Sequence, residues 1–333
     1  MIISRTPFRI SLFGGGSDYP TWYREHGGAV LGMGIDKYCH ISVRRLPPFF
    51  EHKHRIVYSR IELVNKFDEI QHPSARAILQ EMKIDGGIEI HHDGDLPARS
   101  GLGSSSSFTV GLLNALYALK GRYVSKNELA REAIRIEQDV IRENVGSQDQ
   151  IWAAYGGLNR IEFGTDDSFT VSPIVLPLQR RLELQGSIMM FFTGLSRIAS
   201  EVAGAKIANL DKKKRHVKIM TGMVDEALAV LNAPNRNLNE VGELLHEAWM
   251  LKRELTDKVS NPMIDEIYEA GREAGAIGGK LLGAGGGGFM IFFVPPEKRQ
   301  QVRGRLTKLI NVSFAIDNGG SRIMMYEPDG LGA

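Results

Sequence analysis

The chain has a single cysteine, Cys39, among 333 residues. One thiol excludes an intramolecular disulfide and any site built from several thiolates, and its apolar surroundings mark Cys39 as packing. Neither sign of charge is in excess: 41 Lys and Arg against 39 Asp and Glu leave a formal net charge of +2. Nucleic-acid binding asks for a clustered basic surplus, so no nucleic-acid partner is expected. The run Lys212-Lys213-Lys214-Arg215-His216 is the one basic cluster and reads as a solvated helix start. Long hydrophobic runs are missing too. No stretch reaches the length of a membrane span, and residues 1–5 lack the apolar core of a secretion signal, so the expected compartment is the cytoplasm, with no membrane partner. Signatures H-E-x-x-H and G-x-S-x-G are absent, and so is a Walker A loop. The Gly279-Lys280 pair is followed by Leu281, and position 274 is Ala.

What is present is an ordinary globular composition, 43% hydrophobic and 24% charged, with length enough for two domains. Residues 2–13 read as a strand that stops at Gly14-Gly15-Gly16. Further strands are predicted over 30–43, 56–64 and 88–92, then helices after the serine run at 104–107 and over 126 to about 143, and a strand over 158–163. Past Pro173 and Pro177 the character changes. A strand over 187–192 precedes a helical stretch from 196 to about 274, broken at 232–235 and 261–262. A strand over 289–294, a helix over 297–310 and a strand over 322–326 close the chain. Strands, then helices, then strands, without βα alternation, predict an α+β fold, with units 1–180 and 181–333.

Three glycine-rich segments stand far apart, at 14–16, 101–103 and 283–288. The second is the most informative: Pro97-Ala98-Arg99-Ser100-Gly101-Leu102-Gly103 followed by Ser104-Ser105-Ser106-Ser107 and an apolar helix. The first turn of a helix carries unpaired N–H groups and the positive end of its dipole, so it attracts anions. One cap needs one Ser or Thr; four after Gly-Leu-Gly suit a phosphate cradle better. The third segment formally contains G-x-G-x-x-G, but a strand follows it rather than a helix, so the dinucleotide reading fails. A loop whose backbone closes on a ligand fits better.

Two carboxylates are candidates for chemistry. Glu137 falls in the apolar stripe Ala130, Ala133, Ile134, Ile141 of the helix that opens at Ser125-Lys126-Asn127-Glu128, a capping-box spacing. A carboxylate there needs a partner: either a buried Arg or a magnesium ion. Asp149, in Gly146-Ser147-Gln148-Asp149-Gln150, sits in the first turn of a short helix. It either complements the dipole or points into a cleft. The adjacent His91-His92 face opposite sides of a strand, which disfavours a metal cluster with Asp93 and Asp95.

Together these segments resemble the GHMP kinase superfamily, named for galactokinase, homoserine, mevalonate and phosphomevalonate kinases. Its three motifs are similar to residues 7–18, 97–106 and 280–289, in order across nearly the whole chain. The resemblance implies the two-domain GHMP kinase fold, with an N-terminal unit like ribosomal protein S5 domain 2 and a ferredoxin-like C-terminal unit. Arg9-Ile10-Ser11, Gly14-Gly15-Gly16-Ser17-Asp18, Gly146 to Gln150 with Tyr155-Gly156-Gly157, and Thr193-Gly194-Leu195-Ser196-Arg197 are most similar to the D-glycero-D-manno-heptose 7-phosphate kinases. Galactokinases carry Gly-Glu-His-x-Asp where this chain has Gly14 to Asp18, which argues against galactose.

The resemblance therefore implies an ATP-dependent sugar kinase. It would act on the anomeric hydroxyl of heptose 7-phosphate and serve nucleotide-activated heptose for surface glycans. Implied roles are the triphosphate on Gly101, Leu102, Gly103, Ser104, Ser105 and Ser106, and Mg²⁺ on Ser105 and Glu137. Asp149 would be catalytic with Arg9 beside it. The sugar would lie against Gly15, Gly16, Ser17, Asp18, Gly285 and Gly286. Arg197, and after it Arg99, is the expected partner of the 7-phosphate. Fucokinase-like kinases share the triple glycine. A non-catalytic sugar and ATP sensor and a decarboxylase-like lyase are the other readings, and homodimer formation is left open.

Overall fold

The computed structural model describes residues 1–195, 199–210 and 212–328, leaving aside the side chains of 199–201. The first half runs β1 (Ile2–Phe13), α1 (Pro20–His26), β2 (Gly28–Arg45), β3 (His54–Val57), β4 (Ile61–Val64), α2 (Pro73–Glu81), β5 (Ile88–Gly94), α3 (Ser104–Leu119), α4 (Lys126–Arg135), α5 (Gln148–Tyr155), β6 (Leu158–Phe163) and β7 (Phe169–Pro173). The second half runs α6 (Leu178–Ser187), β8 (Ile188–Phe192), α7 (Ala199–Asn209), α8 (Lys214–Asn232), α9 (Asn239–Arg253), α10 (Pro262–Glu273), β9 (Gly278–Leu281), β10 (Phe289–Phe293), α11 (Arg299–Arg305), β11 (Ile310–Val312) and β12 (Arg322–Tyr326). Two sheets result, one in the order β12-β1-β2-β5-β3-β4 with β6 beside β2 and β7 beside β6, the other β11-β8-β10-β9. This is the expected α+β arrangement. No helix among the described residues is long and apolar enough to cross a membrane.

β2 is long because it serves two partners on one edge: Gly28 to Met33 pair with β6, and Cys39 to Arg45 with β5. β1 pairs along most of it, and its residues from Arg9 to Phe13 are all buried. Helix α3 packs on β1 and β2, with α4 and α5 behind it, while α9 lies on β9 and β10. A helix covered on several sides must be apolar nearly all round, as α3 is after its serines. Cys39 is fully buried in β2, and burial raises its thiol pKa.

Four local expectations are corrected. Residues 56–64 form a hairpin, β3 and β4, because the chain reverses at 58–60, where the Tyr58 amide donates to the Arg60 carbonyl. The helix over 126–143 is α-helical only to Arg135 and continues as a π turn, Ile136–Val140. Helix α11 is short, since Ile310 to Val312 join the edge of the second sheet against β8. Arg322–Tyr326, expected within the C-terminal unit, returns to pair with β1.

Candidate active site

A cavity of about 1090 Å³ lies between the end of β1, the loop before α3, the start of α5, and α7 and α9. Its centre is an ion pair. Arg9 projects from β1, and its Nε and Nη2 donate to Asp149 Oδ1 and Oδ2 at 2.8 and 2.7 Å. Nη1 donates to the Gly101 carbonyl at 2.6 Å. A planar guanidinium matched to both carboxylate oxygens fixes the carboxylate's orientation as well as its charge. The Arg9 side chain is 5% exposed and that of Asp149 26%, so the carboxylate remains open to the cavity. Asp149 is in the first turn of α5, as expected, but Ser147 and Gln150 do not form the capping box. Ser147 Oγ bonds Tyr23 and Gln138, and Gln150 donates to Glu137.

Asp18 is the second carboxylate on the wall. Oδ1 accepts from the Gly16 amide at 2.9 Å and Oδ2 from Gln148 Nε2 at 2.8 Å. Burial raises its pKa, opposed by the Gly16 hydrogen bond and reinforced by the charge of Asp149. The chain at Gly146 passes so close that a Cβ there would lie 1.9 Å from Asp18 Oδ2. Only glycine admits the carboxylate in this position.

On the other side of Asp149 the loop before α3 has its Gly103 N-cap in the left-handed region, and no side chain caps the helix. The first-turn amides are left for a ligand. The glycine-rich loop at 283–288 buttresses this one. A Cβ on Gly101 would lie 2.7 Å from the Leu282 carbonyl oxygen, and one on Gly283 would lie 2.6 Å from Gly101 Cα. The Phe289 amide donates to the Ser100 carbonyl at 3.0 Å. Close contact of two backbones explains why both loops are glycine-rich.

Glu137 lies in the π turn, fully buried. Its Oε2 accepts from Ser106 Oγ at 2.9 Å and from Gln150, while Oε1 has no partner. Burial pushes its pKa up to about 7, opposed by the nearby Thr109 hydroxyl and by the hydrogen bonds from Ser106 and Gln150. A buried carboxylate with one orphaned oxygen and a hydroxyl beside it is a donor set that suits a hard divalent cation. The partner is not an Arg. It is also Ser106, not Ser105, that meets Glu137: Ser105 is exposed, and one residue along a helix turns the side chain about 100°.

Other expected residues fall elsewhere. Gly15 and Gly16 line the cavity, as do Gly101, Gly103 and Ser104 to Ser106. Ser17 is buried, with Oγ 2.8 Å from the Gly14 carbonyl and 2.9 Å from that of Ala29, so its hydroxyl secures the turn. Leu102 is in the core, and its carbonyl accepts from the Arg9 amide. Gly285 and Gly286 back onto Val259, whose carbonyl accepts from the Gly286 amide, and Gly283 and Ala284 form that stretch of wall instead. Arg99 is exposed at the cavity rim with φ of 58°. Arg197 lies outside the described residues. His91 pairs with Glu89, while His92 turns to the other face against Phe108.

Two groups were not singled out from the sequence. Tyr58, His72, His92 and Phe108 form an aromatic end, with His72 stacked on Phe108 at 4.2 Å and its pKa lowered to about 4 by burial and the charge of His92. Lys206, Lys252 and Lys280 form a buried cationic wall at the Asp18 end. Isolated lysines in helices, as Lys206 and Lys252 are, or beside glycines in a short strand, as Lys280 is, read as surface, so the residues alone carry no signal for them.

The model of the GHMP kinases N-terminal domain matches residues 69–157, and that of the GHMP kinases C-terminal domain matches residues 224–311. The first span holds the loop before α3, Glu137 and Asp149; the second holds Lys252, Lys280 and the buttressing loop. A D-glycero-alpha-D-manno-heptose 7-phosphate kinase of Campylobacter jejuni is 29% identical over 92% of this chain and 93% of its own. A bifunctional fucokinase/GDP-fucose pyrophosphorylase of Arabidopsis thaliana is 27% identical over 90% of this chain, which spans 30% of that longer protein. The crystal structure of a D-glycero-D-manno-heptose 1-phosphate kinase from Bacteroides thetaiotaomicron superimposes with a TM-score of 0.75 at 23% identity, covering 98% of this chain and 99% of that one. With the two family models together spanning more than half of the chain, in order, and the same fold throughout, this protein belongs to the GHMP kinase family.

Proposed function

We propose that this sugar kinase transfers the γ-phosphoryl group of ATP to the anomeric hydroxyl of D-glycero-D-manno-heptose 7-phosphate. The observation that carries the reading is the Asp149 carboxylate, clamped by Arg9 and open to the cavity between the uncapped start of α3 and Asp18. The amides of residues 101–106 hold the triphosphate, and the aromatic end around His72 and Phe108 takes the base. Ser106 and Glu137 would hold Mg²⁺, which when bound supplies neutralisation of phosphate charge. Asp18, fixed by Gln148 and Gly16, accepts from sugar hydroxyls.

Phosphoryl transfer needs alignment and charge stabilisation more than covalent help from the protein. Both Asp149 oxygens face Arg9, yet a carboxylate has further lone pairs. One of them takes the anomeric proton as the sugar oxygen bonds to phosphorus and the bond to the β-phosphate oxygen breaks, releasing ADP. An anomeric hydroxyl is more acidic than an ordinary alcohol, so a carboxylate suffices as base.

The choice of heptose rests on the Campylobacter jejuni relative, which matches nearly end to end. The fucokinase relative keeps a second sugar in play. ADP release measured with heptose 7-phosphate, fucose, mannose and galactose tests both. Turnover of heptose 7-phosphate well above the rest is the expected result. Turnover of unphosphorylated sugars alone overturns the heptose assignment.

A further inference from the structure

Three lysines from three different elements meet at the Asp18 end of the cavity: Lys206 of α7, Lys252 of α9 and Lys280 of β9. They are 5%, 7% and 6% exposed. An ammonium group offers three donors. Lys252 gives two of them to the Leu281 and Gly283 carbonyls, at 2.7 and 2.8 Å. Lys280 gives one to the Leu12 carbonyl at 2.8 Å. Lys206 makes no hydrogen bond or ion pair with any described residue, and the carboxylate that acts on it is Asp18, through its charge. An unpaired ammonium in a protein interior is strongly unfavourable, and an apolar side chain would serve packing better. Its presence asks for a ligand.

The charges say which kind. Arg9 is matched by Asp149. Asp18 alone then faces three ammonium groups, and both of its oxygens already accept hydrogen bonds. Glu143 also borders the cavity, but its pKa is raised by burial and it pairs with none of the three among the described residues. The surplus is two positive charges when all are ionised, which a phosphate monoester, with nearly two negative charges near neutral pH, would offset. The nucleotide's own phosphates have the uncapped start of α3. Lys206 and Lys280 lie by Asp18 and the end of β1, while Lys252 reaches the Leu281 and Gly283 carbonyls next to the loop before α3.

We propose that Lys206, with Lys252 and Lys280, receives a phosphate monoester already present on the acceptor, so that the enzyme selects phosphorylated over free sugars. The lowered pKa values of Lys206, to about 8, and of Lys280, to about 7, both led by burial, fit cations awaiting an anion. The inference rests on the kinase reading but not on heptose being the sugar.

The test uses the full chain with Lys206→Met and Lys280→Met. ADP release is followed with heptose 7-phosphate and with the same heptose lacking its phosphate, and a non-hydrolysable ATP analogue is titrated in parallel. Loss of one charge-assisted contact raises the KM for the phosphorylated acceptor about 10- to 100-fold. The KM for the free sugar and the nucleotide affinity are expected to hold. Because Lys206 ties no carbonyl, its variant is expected to fold even if Lys280→Met loosens the join between β9 and β1. An unchanged KM for the phosphorylated acceptor in Lys206→Met overturns the proposal. So does an equal rise for both acceptors, or a loss of nucleotide affinity, which would place the lysines on the nucleotide instead. If the wild type prefers another sugar phosphate over the heptose one, the heptose assignment falls, and the same variant comparison on that sugar decides the lysines separately.

Discussion

In the proposed reading, the two ends of the cavity would hold anions by different physics. At the nucleotide end the donors are main-chain amides at the start of α3, shaped by Gly101 and Gly103 and backed by a second glycine-rich loop. At the acceptor end they are single charged side chains, Lys206, Lys252 and Lys280, brought in from helices and a strand distant in sequence. Backbone donors carry only partial charge and need no counterion in the empty state. Buried ammonium groups are costly without one, and burial lowers the pKa of all three lysines. The nucleotide end is therefore expected to be stable when empty, and the acceptor end to be held under electrostatic strain.

The largest expected effect falls between the two ends. Asp149→Asn keeps the side chain's size but removes the base and one of the two acceptors that face Arg9, and turnover is expected to drop about 10²- to 10⁴-fold. Binding of an ATP analogue, measured by titration, is expected to survive. A variant within a few-fold of wild type removes Asp149 from the mechanism.

Next come two pH effects of opposite sign. Glu137 has its folded pKa raised from 4.5 to about 7, so the folded state holds a proton that the unfolded state has lost. Stability of the ligand-free protein falls as pH rises from about 4.5 to 7, by about 3 kcal/mol. Denaturant titrations at pH 5 and pH 8 are expected to show this slope in wild type and its loss in Glu137→Gln. Lys206 runs the other way. Its folded pKa is lowered from 10.5 to about 8, so the cost of the buried charge is full below pH 8 and fades by about 10.5. Lys206→Met is expected to stabilise the empty protein by about 3 kcal/mol or less at pH 7, the gain shrinking at pH 10. A variant less stable than wild type at pH 7 would erase the contrast between the two ends.

The smallest effect sharpens the contrast at the nucleotide end. Gly101→Ala places a Cβ 2.7 Å from the Leu282 carbonyl oxygen at a φ of 84°. It is expected to cost about 1–3 kcal/mol of stability and to weaken nucleotide binding more than acceptor binding. A thermal melt with a nucleotide titration measures both.

How far the residues could be read follows from how local each feature is. β1 and β6 match their expected spans, because an alternating or apolar run bounded by glycine needs no distant information. The Ser125 cap is there too: its Oγ accepts from the Glu128 amide, although the Glu128 carboxylate turns to Arg122. β9 is not legible because Gly278-Gly279 depress strand propensity, yet Gly278 lets α9 lie directly on the strand. Ser106 rather than Ser105 meets Glu137 because the rotation of α3 is set by its packing on β1 and β2, not by the serines themselves.

The amino-acid sequence alone determined the α+β order of elements, the family and the glycine- and serine-rich loop before α3, since each is written in contiguous residues whose backbone preferences act over a turn or two. Tertiary structure decided which oxygen and which ammonium face the cavity. The pairing of Arg9 with Asp149, the burial of Lys206 near Asp18 and the orphaned oxygen of Glu137 depend on chains meeting across 31 to 188 residues of separation. Charge–charge and desolvation energies depend on distance in space, which only the folded chain defines.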